Sequence, residues 1–230
     1  MIKKNQKIKS FNLLFPIAMA IAGIFLLFIV VDDTIFPKLL LLMTVYFIPP
    51  LGKETVIPLA VAGGQFSFPW SSELIIVPKI DPLTIALSIA FVDICIALFL
   101  ALNYDYAKGI PAVGTFMKKV EKLGSDSSGK YKWLMPLRFF GIALFVMVPF
   151  QGSGGLVGSI LGRLIGMKPW DVFAAISVGT VSGCLLIAYF AETMIELFSN
   201  NIVLGLFIII VMIIIGTIVY THGKSKKVKG

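Results

Sequence analysis

Four stretches of the chain are apolar, with few interruptions, for the depth of a bilayer core: 11–31, 82–102, 172–191 and 202–221. A helix needs about 20 such residues to cross the hydrocarbon, so each is predicted to be a transmembrane helix. The first, third and fourth hold no acid, lysine, arginine or histidine, and the second holds Asp93 alone. Two further apolar segments are broken. Residues 39–66 run into Pro49-Pro50-Leu51-Gly52-Lys53-Glu54, continue through Pro58 and reach Gly63-Gly64. Residues 134–167 run into Pro149-Phe150-Gln151-Gly152-Ser153-Gly154-Gly155. Proline withholds a helical N–H and clashes with the preceding turn, and glycine frees the backbone. Both segments are therefore predicted to be helix–break–helix. Irregular backbone at membrane depth persists only where protein or a watery cavity satisfies it, which predicts a pair of re-entrant hairpins.

Composition agrees with a life in lipid. Of 230 residues, 58% are hydrophobic and 14% charged, and the mean hydropathy is +0.96. A soluble domain cannot hide that much apolar surface. The net charge of +8 is concentrated in lysine clusters near the start, in the 104–133 loop and in the 222–230 tail. These basic runs flank apolar spans and lack interleaved aromatics, which argues against a nucleic-acid partner. Short lysine-rich loops prefer the cytoplasm. If both broken segments dip in and return, every lysine cluster falls on that side, with both chain ends. If both crossed completely, the 104–133 loop would lie outside. Charge therefore favours the hairpins, and residues 11–31 read as a retained span, too long for a signal peptide. The fold expected is an all-α integral membrane protein, a single membrane domain of four full spans and two oppositely oriented re-entrant hairpins. Pro49 to Gly52 echoes Pro149 to Gly152, and a Pro-led span follows each hairpin, at Pro82 and Pro169. That layout is an inverted repeat of the kind found in transporters.

Candidate chemistry is sparse. Cys95, Cys184 and His222 carry no metal or disulfide spacing, and no nucleophile–base set or cofactor motif occurs, so neither an enzyme nor a cofactor is expected. Glu54 sits at the tip of the first hairpin and is a candidate proton carrier; it could instead be solvated or paired with Lys53. Asp93, midway along its span, must find a partner in the bundle, either a cation, a proton or a hydrogen bond from a neighbouring helix. Arg138 and Arg163 flank the second break and could pair with those acids or bind an anionic group, though Arg163 could also snorkel to the interface. The turn Gly152-Ser153-Gly154 could present backbone amides to an anion. Glycines 154, 158, 162 and 166 form a small-residue stripe suited to close helix packing, as do Gly179 and Gly183. Residues 107–123 read as an amphipathic helix on an anionic leaflet.

The stretch Val148-Pro149-Phe150-Gln151-Gly152-Ser153-Gly154-Gly155-Leu156-Val157-Gly158-Ser159, followed by Leu164-Ile165-Gly166-Met167, resembles the small multidrug export family, whose members carry a Pro-x-x-Gly-(Thr/Ser)-Gly turn before a small-residue helix. Glu54 followed by Ile57-Pro58 resembles that family's acid followed by Ile-Pro. The layout is also similar to the DedA/VTT group, the SNARE-associated Golgi protein-like lipid translocases and scramblases. The resemblance spans residues 40–192 and carries over Glu54 and Arg138 as the hairpin acid and the base before the second turn. It implies a small multi-pass transporter in a prokaryotic plasma membrane. The expected activity is proton-coupled export of amphipathic or lipid-like compounds, with Glu54 and Asp93 as protonatable groups. The alternatives are an uncoupled lipid or lipid-phosphate scramblase and a non-transporting scaffold. The expected partners are the bilayer, an amphipathic substrate and a second copy of the chain.

Overall fold

A computed structural model describes residues 2–48, 51–67, 74–104, 135–149, 154–200, 205 and 217. Within them the chain is helical apart from one small hairpin of strands. Among the described residues three helices are long and apolar enough to cross a membrane: Phe11–Val30, Pro82–Leu102 and Pro169–Asn200. The predicted span 202–221 apart from residues 205 and 217, the surface helix 107–123, nearly all of the 104–133 loop and the 222–230 tail lie outside the described residues, as do Pro49, Pro50, Gly152 and Ser153.

The first helix, α1 (Ile2–Val30), takes in the lysine-bearing start of the chain as well as the predicted span. It presents Phe11, Leu14, Ile21 and Phe25 outward, as a helix in contact with lipid does. Its contact with the bundle passes through Gly23, where a Cβ would collide with the Phe91 ring. Asp32, beyond its end, accepts from the Thr34 hydroxyl at 2.7 Å and the Thr34 N–H at 2.9 Å. The hydroxyl bond and then the backbone bond hold its carboxyl below the ordinary range.

The first broken segment forms α2 (Phe36–Val45) and α3 (Lys53–Ala62), parted at the predicted prolines and glycine. Pro58 lies inside α3 and has no N–H to give the Glu54 carbonyl. Helical pattern predicts this segment to reach residue 66, yet α3 ends at Gly63. Gly63 and Gly64 both take positive φ, at 67° and 120°, which ends the helix. The chain then makes β1 (Gly64–Ser67), antiparallel to β2 (Leu74–Val77), with Gly64 opposite Val77 and Ser67 opposite Leu74. This two-stranded ribbon is a small addition to an otherwise all-helical fold among the described residues. The run Leu74-Ile75-Ile76-Val77 is too short for a helix and rich in β-branched side chains, which fit a strand.

Asp81 caps α4 (Pro82–Leu102), accepting from the Thr84 N–H at 2.9 Å, with Pro82 opening the helix. Most of α4 is buried, and it packs beside α7 (Pro169–Asn200) at the centre of the bundle. The second broken segment forms α5 (Met135–Met147) and α6 (Gly155–Leu164), close to its predicted limits. Helix α7 outruns its predicted 172–191 at both ends.

Small residues set the helix spacing. A Cβ on Gly179 would run into the Ala143 carbonyl oxygen, and one on Gly183 into that of Met147, so α5 lies directly on the backbone of α7. Gly158 and Gly162 similarly face Val146 and Val172. In lipid such close backbone approach supplies much of the association. The obstacles at Gly179 and Gly183 are backbone atoms, which cannot rotate away. We expect Gly179→Ala and Gly183→Ala each to cost about 1–3 kcal/mol, read as a lowered thermal midpoint in detergent. Gly141→Ala meets nothing within 4 Å, so its midpoint should hold or rise, by up to about 1 kcal/mol of helix propensity. Equal melting of all three would mean that α5 and α7 do not touch this closely.

Candidate functional site

The two breaks meet at Asp93. This carboxylate is 1% exposed, at the middle of α4. Its Oδ1 accepts from the Tyr46 hydroxyl at 2.7 Å and the Gly155 N–H at 2.9 Å, and its Oδ2 accepts from the Thr180 hydroxyl at 2.8 Å. Tyr46 closes α2, Gly155 opens α6 and Thr180 lies within α7. One side chain thus joins four helices. The first N–H groups of any helix lack intrahelical partners and carry the positive end of its dipole. Asp93 supplies α6 with an anionic cap from another helix. Glycine makes that approach possible, since a Cβ on Gly155 would strike the Asp93 carbonyl and one on Gly154 would stand 2.6 Å from the Tyr46 hydroxyl.

Lys53 answers at the other side of the same break. It is 2% exposed, and its Nζ donates to the Val146 carbonyl in the last turn of α5. A cation suits the negative end of a helix. The second break is therefore flanked by a cation where α5 stops and an anion where α6 starts. An ammonium carries three donors, and Val146 takes one.

Glu54 follows Lys53 but turns elsewhere. Its carboxylate folds back over Gly52 and has no hydrogen-bond or ion-pair partner among the described residues. It lines a cavity of about 490 Å³ between α3 and α7, whose other walls include Pro58, Ala62, Pro149, Phe190 and Met194. A second cleft, of about 630 Å³, separates α1 from α4 and has Asp32 and Asp81 in its lining. Both of those carboxylates are already engaged, by Thr34 and Thr84.

The arginines lie at the far end of α6. Arg138 donates to the Ile165 carbonyl at 2.6 Å. Arg163 donates to the Met167 carbonyl at 2.8 Å and stands over the Tyr104 ring at 5.3 Å. Ten residues of helix, about 15 Å, separate this end from Asp93. The expected set of Glu54, Asp93, Arg138 and Arg163 therefore divides. Asp93 joins the breaks, Glu54 faces the cavity beside them, and the arginines satisfy carbonyls where α6 ends. Of the predicted turn residues, Gly52 starts α3, Pro58 and Pro149 line the cavity, and Gly154 starts α6. The junction also uses Lys53, Tyr46 and Thr180, which pattern alone does not single out. One signal exists for Lys53: it is the one lysine between Lys38 and Lys79, inside an apolar segment.

A carboxylate with three buried donors is costly to delete, because all three are orphaned. Asp93→Ala should destabilise the detergent-solubilised protein by about 3–5 kcal/mol. Tyr46→Phe, which removes one donor, should cost about 1 kcal/mol. Thermal melts of the two variants test this, and a milder effect for Asp93→Ala than for Tyr46→Phe would dismiss the junction.

A family model described as "Putative small multi-drug export protein" matches residues 55–186, more than half of the chain. The match begins one residue after Glu54 and takes in Asp93, Arg138, Arg163 and Thr180. No curated protein and no solved structure matches.

Proposed function

Because this chain belongs to the small multi-drug export family, we propose that it is a small secondary exporter of amphipathic compounds, built from two re-entrant hairpins that enter the bilayer from opposite faces and meet at Asp93. The observation that carries this reading is the contact between the breaks: Tyr46 and Gly155 share the Asp93 carboxylate, and Lys53 reaches the last turn of α5. A helix broken in lipid must have its loose ends met by protein, and each break here is met by the other's elements or by α4. Lysine distribution favours a cytoplasmic position for both chain ends and the 104–133 loop, in a plasma-membrane protein. The two hairpins, each followed by a long helix, then form an inverted repeat within one membrane domain. Broken helices at such a midplane junction suit rocking between inward and outward openings.

Within this scheme Asp93 holds the hairpins together, and Glu54 carries the proton that couples export to the gradient. Glu54 is suited to the task because it borders the cavity and has no competing partner among the described residues. Arg138 and Arg163 fix the base of the second hairpin.

Purified protein in liposomes tests the proposal, with efflux of amphipathic dyes and movement of fluorescent lipid assayed side by side, with and without a pH gradient. Dye efflux should require the gradient. Glu54→Gln should reduce it at least tenfold while melting like the parent protein. Lipid movement without a gradient, indifferent to Glu54, would replace the exporter with an uncoupled scramblase. Topology has its own check. Single cysteines placed in the 104–133 loop should react with an impermeant thiol reagent from the cytoplasmic side alone, and labelling from outside would eliminate the hairpins.

A further inference from the structure

We propose that the Glu54 cavity is a binding site for lipophilic monovalent organic cations, and that its charge selects them over neutral and anionic amphiphiles of the same size. The inference rests on the exporter reading above and adds the class of compound to it.

The walls come mainly from two helices. Helix α3 contributes Pro58 and Ala62, α7 contributes Phe190 and Met194, and Pro149, beyond the end of α5, completes the lining. The volume, about 490 Å³, falls within the roughly 300–1,000 Å³ of small-molecule sites. Among the described lining residues Glu54 alone is charged. An anion beside apolar walls attracts an opposite charge more strongly than it would in bulk water. It repels an anion for the same reason, and a neutral occupant would leave the carboxylate without its counter-charge.

Two further features favour a cation. The Phe190 ring is part of the lining, and a cation near an aromatic face gains from the ring quadrupole. Pro58 has no N–H to give the Glu54 carbonyl, so a backbone oxygen at the same residue lacks its usual helical donor. Met194 is unbranched and polarisable, which suits occupants of differing shape. The neighbouring cation does not compete, since Lys53 is buried away from the cavity and donates to Val146.

The contrast with Asp93 strengthens the assignment. Asp93 is enclosed by three donors and has no room for a ligand. Asp32 and Asp81, at the α1–α4 cleft, already accept from threonines. Glu54 is the carboxylate beside an apolar cavity whose accepting capacity is unused among the described residues.

Tetraphenylphosphonium and tetraphenylborate are nearly the same size and differ in sign, so they separate charge from hydrophobicity. Equilibrium binding of each to the full chain in neutral-lipid nanodiscs is the test. The cation should saturate at one site per chain and bind at least tenfold more weakly to Glu54→Gln, with an unchanged melt. Met194→Lys, which sets a positive charge on the opposite wall, should weaken the cation as strongly and carries the test if Glu54→Gln does not fold. Tetraphenylborate should show no saturable binding. Equal cation binding in both variants, or equally tight binding of the two ions to the parent protein, would overturn the proposal. Export of a neutral or anionic dye by a protein that does not bind the cation would likewise overturn it while leaving the exporter intact. Glu54-dependent cation binding without any transport would uphold this site and end the exporter reading instead.

Discussion

The interruption of hydrogen bonding between α5 and α6 is the constraint on which the bundle turns. A helix that stops inside an apolar bundle leaves carbonyls at one end and N–H groups at the other, and lipid can satisfy neither. Here the two ends receive opposite charges, Lys53 at the Val146 carbonyl of α5 and Asp93 at the Gly155 amide of α6. Each buried charge would be costly alone. Set against a helix end of opposite polarity, each lowers the cost of the other's surroundings. The arrangement also ties the second broken segment to α3 and α4, so the fold and the break are stabilised by the same contacts.

Two carboxylates of similar intrinsic chemistry are thereby given different surroundings. Asp93 has three donors and joins four helices; Glu54 lies on the first turn of α3, folded back over Gly52 and without a hydrogen-bond partner among the described residues. A group saturated with partners holds structure, and a group without them remains able to take one. The division follows from position. Asp93 faces the centre of α4's packing, where α6 and α7 both reach it, while Glu54 is one residue past Lys53 and so points about 100° around α3, away from α5.

Much of the architecture is legible in the sequence. Apolar run length delimits α4 to the residue and places α1 and α7, and prolines and glycines locate both breaks. The strands escape because Gly63 and Gly64 end α3 through backbone conformations that helical periodicity does not register. The site is legible only in part. Glu54 and Asp93 stand out because charge is rare in apolar segments, yet their different environments depend on contacts spanning 47, 62 and 87 residues. Tyr46 and Thr180 look like ordinary members of apolar helices until folding brings them to Asp93. The arginines mislead for the opposite reason. A guanidinium near a break suggests an ion pair, but local geometry offers Arg163 a carbonyl four residues away, and the return of the chain offers Arg138 another.

The length of α7 has a mechanical consequence. Its 32 residues extend about 48 Å, against a hydrocarbon layer of about 30 Å. Thr180 fastens it to Asp93 away from its midpoint, with about 17 Å of helix on one side and about 30 Å on the other. A rigid rod held off-centre acts as a lever with unequal arms. Met194 sits on the long arm, about 21 Å from the fulcrum, so a tilt of a few degrees displaces that wall by an ångström or more while the fastening itself scarcely moves.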